Sequence, residues 1–141
     1  MATYWKIVTA LAPVLVRNAE RLNLAKLHAE LESLGRDRRL AWVIDNTLTA
    51  LGQLSRSSID AKQWSKLHRR AEVNLRSFLN FVDPPPGRRL PLDILDAPIR
   101  SQRTLDEVQR TSSKLSQRWA IVTSLQPEDF LEALRAAGAA H

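Results

Sequence analysis

The chain has no cysteine, which excludes disulfides, thiolate metal sites and cysteine nucleophiles at once. Its histidines are scattered at positions 28, 68 and 141, and no HExxH occurs, so a histidine-rich metal centre has little to build on. Glycine is also scarce, with four in 141 residues, and none stands in a phosphate-cradling loop or a GxSxG elbow. Acidic pairs do not compensate. Glu30 and Glu32 point to different helical faces, Asp93 and Asp96 fall in a proline-rich stretch, and Asp106 and Glu107 suit a helix start. No catalytic residue, cofactor or metal is therefore expected, and the chain is read as a non-enzyme. Long apolar runs are missing too. The opening MATYWKIVTALAPVLV is interrupted by Lys6, is followed by no cleavage site and is too short for a membrane span. No membrane association and a cytoplasmic location are the expectations.

What is abundant is arginine. Lys and Arg number 21 against 15 Asp and Glu, leaving a formal charge of +6 that favours an acidic partner, nucleic acid first among them. The hydrophobic fraction of 44% suffices for the core of one domain. Periodicity places that core in helices and predicts an all-α single-domain bundle of four to five main helices with a Pro-rich connector. The three segments are 1–83, 84–103 and 104–141.

Ser57 to Val82 reads as one long central helix, with Trp64, Leu67, Ala71, Leu75, Phe78 and Val82 forming its core stripe. Ser57 and Asp60 have the form of a capping box at its start. Upstream, a helical region from Thr3 to Leu34 is broken or bent near Pro13, where two helices meet; after the proline it would bury Val14, Ala19, Leu22, Leu27, Leu31 and Leu34 and end at Gly35. Asp37 would cap a helix spanning Arg38 to Leu54, with Leu40, Val43, Ile44, Leu48 and Leu51 buried and Trp42 at the margin. Asp83-Pro84-Pro85-Pro86-Gly87 must end the central helix. Arg88 to Arg100 reads as a packed connector with one short helical turn, its Leu90, Leu92, Ile94, Leu95 and Ile99 covering a core face or a partner. Thr104 and Glu107 form a second capping box for a helix to Ser124, weakened at Thr111 to Ser113. Pro127 opens a last helix holding Phe130, Leu131 and Leu134.

The cationic residues of the central helix, Lys62, Lys66, Arg69, Arg70 and Arg76, share a face away from its core stripe, with His68 beside them. Leu48 to Leu67, with Gly52, Leu54 and Ser55-Arg56-Ser57-Ser58-Ile59, resembles the helix-turn-helix of bacterial repressors. That resemblance implies DNA contacts from Arg56, Ser58, Lys62, Gln63 and Lys66. A second basic cluster is the turn at Arg36, Arg38 and Arg39. The candidate nucleic-acid-binding set is thus Arg56, Lys62, Gln63, Lys66, Arg69, Arg70, Arg76, Arg36, Arg38 and Arg39. It suits a regulatory or accessory protein, antitoxin-like or part of a nucleoprotein complex. Two alternatives stand beside it. One is a protein-binding bundle that holds its partner through residues 84–100 and exposed Trp or Leu residues, with self-association as a further expectation. The other is a ribonuclease, since Arg21-x6-His28 resembles the Arg-x4-6-His element of HEPN-type enzymes.

Overall fold

Proline and capping chemistry divide the N-terminal region into three helices. In the computed structural model, which describes residues 2–57, 65–82, 90–95 and 102–139, α1 (Ala2–Thr9) stops four residues before Pro13, and α2 (Leu11–Asn18) carries that proline in its first turn. In a continuous helix the Pro13 ring would collide with the Thr9 carbonyl, so the chain breaks ahead of the proline. A second break precedes Asn23, whose side chain accepts the Lys26 N–H at 3.0 Å and caps α3 (Leu24–Ser33). The break near Pro13 is the expected one, whereas the break before Asn23 is a correction that turns two helices into three. The stripe changes with it. Ala12, Leu15, Val16, Ala19 and Leu24 are buried, whereas Val14, Leu22 and Leu34 are exposed, because helical phase is lost at each break.

Gly35 ends α3 as expected, with a φ of 70°. Its N–H and that of Arg36 donate to the carbonyls of Glu32 and Leu31 in a Schellman cap. Next comes α4 (Asp37–Arg56), where Asp37 is the first helical residue and not the cap; Arg36 holds that place without a side-chain bond. Leu40, Val43, Ile44, Leu48 and Leu51 are buried as predicted, and Trp42 is wholly enclosed rather than marginal. The burial of α4 extends nearly around its circumference and includes Asn46 and Thr47. Both are satisfied locally, through the Trp42 carbonyl at 2.9 Å and the Val43 carbonyl at 2.8 Å. The central element is thus α4, packed against α2, α3 and the later helices α5 (Lys66–Val82), α7 (Lys114–Arg118) and α8 (Pro127–Ala139).

The helix predicted from Ser57 begins later. Ser57 caps the C-terminus of α4 in extended geometry, and α5 spans Lys66–Val82, with Ser65 outside it. Trp64 and Asp60 lie outside the described residues. Ala71, Leu75 and Phe78 are buried, joined by Leu79, while Leu67 is exposed at the helix start. The helix stops at Val82, immediately before Asp83 and the prolines.

Within the connector, residues 90–95 hold a strand rather than a helical turn: β1 (Asp93–Ile94). The expected helix from Thr104 to Ser124 is instead α6 (Gln102–Thr111), α7 (Lys114–Arg118) and β2 (Ile121–Val122). The weak point falls where predicted, since the Ser113 hydroxyl accepts the Ser116 N–H at 3.1 Å and starts a new helix. Beyond α7, Ala120 turns with a φ of 54° and sends Ile121 and Val122 into a parallel pair with β1, Asp93 opposite Ile121 and Ile94 opposite Val122. Leu95 packs on the core, but Leu92 and Ile94 are exposed, so the connector buries only part of its apolar cluster.

Finally, α8 (Pro127–Ala139) opens on Pro127, and the Asp129 carboxylate accepts the Gln126 N–H at 2.8 Å. Phe130, Leu131 and Leu134 are buried, with Phe130 edge-on to Trp42. The result is an all-α single-domain bundle with one small parallel strand pair among the described residues. No described helix is long and apolar enough to cross a membrane.

Candidate functional site

Two of the candidate arginines are engaged inside the protein. Arg38 donates from Nη1 to the Trp119 carbonyl at 2.7 Å and from Nη2 to the Pro91 carbonyl at 2.6 Å. Arg39 grips Asp93 with two parallel bonds of 2.8 Å. Such forked pairs are strong because two charge-assisted bonds share one geometry. The hydrogen bond from Arg39 holds the Asp93 carboxyl below the usual aspartate range, with the charges of Arg39, Arg36 and Arg38 helping against partial burial. These residues bolt the strand pair to the start of α4. Arg36 remains exposed beside them.

The helix-turn-helix resemblance does not survive the fold. Gly52, its turn residue, lies inside α4, which continues through Leu54 to Arg56. A backbone bond from Ser57 N–H to the Gln53 carbonyl closes that helix. Lys62, Gln63 and Ser58 lie outside the described residues.

On α5, Lys66, Arg69 and Arg70 occupy the solvent side, opposite Ala71, Leu75 and Phe78. The three fall at relative positions i, i+3 and i+4, so their heads share one surface. The side chains of Lys66 and Arg69 have no hydrogen bond or ion pair among the described residues, and that of Arg70 makes a loose contact with Glu20 at 3.7 Å. His68 stands at the edge of this group, half-buried, with Nδ1 2.8 Å from the Ser65 hydroxyl. Burial lowers its pKa, which disfavours the charged imidazolium.

Arg56 and Arg76 lie elsewhere, on a cleft of about 310 Å³ between α4, α5 and the end of α7. There they meet Arg118, which sequence reading placed mid-helix and left without a role. The cleft also contains Asp45, Thr49 and Asn80. Asp45 is buried and accepts the Trp119 Nε1–H at 2.8 Å. Arg118 stands 3.9 Å from Asp45 and 5.6 Å above the Trp119 ring. Gly52 leaves room for the Arg56 guanidinium, whose Nη1 lies 3.5 Å from where a Cβ would be. Trp42 makes the reciprocal bond, donating to Ser116 at 3.0 Å, so two indoles lock α7 onto α4.

Arg21 and His28, the HEPN-like pair, do not share one helix: Arg21 is in the turn after α2 and His28 is on α3. The His28 ring lies edge-on to Phe78, its Nδ1 3.9 Å from Glu32 and its Nε2 3.8 Å from Asp37. These three side chains could ligate a metal. One ligand atom from each lies within 4.8 Å of the other two, so the side chains would have to close in to hold an ion at about 2 Å. The trio lies where α3 meets the start of α4.

An apolar groove of about 510 Å³ runs between α2, α3 and α4, lined by Leu11, Val14, Leu22, Leu27 and Leu31. It arises because the breaks at Ala10 and Asn23 turn part of the predicted stripe outward. Set against family models, curated proteins and solved structures, the chain matches none.

Proposed function

We propose that this chain is a non-enzymatic accessory or regulatory protein that binds the phosphate backbone of nucleic acid through the outer face of α5. One observation carries the reading: Lys66, Arg69 and Arg70 lie together on the solvent side of a rigid helix, and the first two have no partner among the described residues. Charge of one sign, held on a regular element and only loosely offset by Glu20, is the electrostatic footprint of a polyanion site. The net charge of +6 adds long-range attraction. Contacts of this kind position a protein on a backbone without reading bases.

The test is fluorescence polarisation with duplex DNA and with RNA across a salt series. Replacing Lys66, Arg69 and Arg70 with Ala should weaken binding and flatten the plot of log affinity against log salt by about three units. An unchanged slope in a folded variant refutes the assignment.

The apolar groove favours a second reading, a bundle that binds a protein partner. Its exposed Leu11, Val14 and Leu22 form a contiguous patch of the kind interfaces use. Under that reading Val14→Glu abolishes partner capture and leaves nucleic-acid affinity untouched.

A further inference from the structure

We propose that the cleft formed by Arg56, Arg76 and Arg118 is a phosphomonoester site, distinct from the outer face of α5. It would take a terminal phosphate, carried on a nucleic-acid end or on a free nucleotide. Three observations converge on this chemistry.

The first is charge. Three guanidinium groups and one carboxylate line the cleft, so their formal sum is 3 − 1 = +2. A phosphomonoester carries about −1.5 to −2 at neutral pH and matches that sum, whereas a backbone phosphodiester carries a single charge. The second is shape. An open concavity of about 310 Å³ has room for a phosphate with its sugar but not for a duplex, whose phosphates lie along a convex rim. A chain end projects and enters.

The third is preorganisation. Asp45 at the base would repel an anion if its oxygens faced it unopposed. Instead it accepts the Trp119 indole N–H and stands near Arg118, which the Trp119 ring supports from beneath. Arg118 is thereby held at the cleft wall. The Arg56 guanidinium lies beside Gly52, and the side chains of Arg56 and Arg76 have no hydrogen-bond or ion-pair partner among the described residues. Planar forks of this kind pair bidentately with phosphate oxygens, and Thr49 and Asn80 add neutral donors at the same wall.

The experiment compares one single-stranded oligonucleotide with a 5′-phosphate, a 3′-phosphate or hydroxyls at both ends, alongside calorimetric titration with inorganic phosphate and a nucleoside 5′-monophosphate. The wild-type protein should prefer a phosphorylated end by about tenfold, a difference of about 1.4 kcal/mol. The double variant Arg56→Ala, Arg76→Ala should lose that preference. Both side chains are exposed, so the variant folds, and circular dichroism with an unchanged melting temperature checks this. Equal binding of all ends together with monophosphate binding that the variant abolishes also supports the site and identifies free nucleotide as its source. Equal affinity for all ends with no heat from phosphate or monophosphate overturns the proposal, and so does a preference the double variant retains. If no oligonucleotide binds while monophosphate does, the outer-face reading fails and the cleft stands.

Discussion

The Arg39–Asp93 pair offers the sharpest test of how the fold is held, because it joins residues 54 apart in sequence through two bonds of 2.8 Å. Charge-assisted hydrogen bonds contribute about 1.5–3 kcal/mol. The Arg39 side chain is 35% exposed, so solvent screening reduces the pairwise coupling to about 1–2 kcal/mol. A double-mutant cycle with Arg39→Ala, Asp93→Ala and the double variant, read by urea denaturation at pH 7, should return that value. The pH dependence follows from the depressed pKa of Asp93. A carboxylate whose folded pKa lies below its unfolded value, about 3.9, contributes stability in full above that value and loses it as pH falls through the folded pKa. The coupling should therefore hold from pH 7 to pH 5 and shrink below about pH 4. Hydrogen exchange supplies a local readout, since the N–H groups of Asp93 and Leu95 bond across the strand pair to the carbonyls of Ala120 and Val122. Both should lose protection in Arg39→Ala. A coupling under about 0.3 kcal/mol at pH 7, or one indifferent to pH 3, would refute the view that this pair fastens the connector.

Leu75→Ala should destabilise the protein by about 2–5 kcal/mol in chemical denaturation, because Leu75 is fully buried and leaves a cavity; a wild-type midpoint would misplace the core face of α5. Gly35→Ala should cost about 1–2 kcal/mol although no atom lies within 4 Å of the added methyl, since the penalty is the left-handed backbone alone. Trp119→Phe should remove the indole donor to Asp45 and leave a buried carboxylate short of a partner, costing about 1–3 kcal/mol in thermal or urea melts. Phe81→Ser, at a position 81% exposed, should change stability by less than about 0.5 kcal/mol, and a larger loss would reveal burial in an assembly.

Local chemistry was readable from the chain by itself. Gly35 in its left-handed cap, Pro127 at the head of α8, the stop at Val82 before the prolines and the weak point at Ser113 each depend on neighbours a few residues away, and each appears where the sequence places it. The buried faces of α4, α8 and most of α5 were legible for the same reason, since helical period maps position onto face while the helix is unbroken. The break near Pro13 was legible from the proline itself, but the one before Asn23 was not, and Val14, Leu22 and Leu34 were assigned inward on an unbroken stripe. The candidate site was less legible. Composition supplies an excess of arginine but cannot say which of them the protein keeps for itself. Arg38 and Arg39 find partners 81 and 54 residues away, and only chain-wide packing engages them there. Packing likewise gathers Arg56, Arg76 and Arg118 from three helices into one cleft, and pairs β1 with β2 across two intervening helices. Long-range contacts leave no periodic trace in sequence, because their spacing is set by how helices pack and not by the pitch of any one helix.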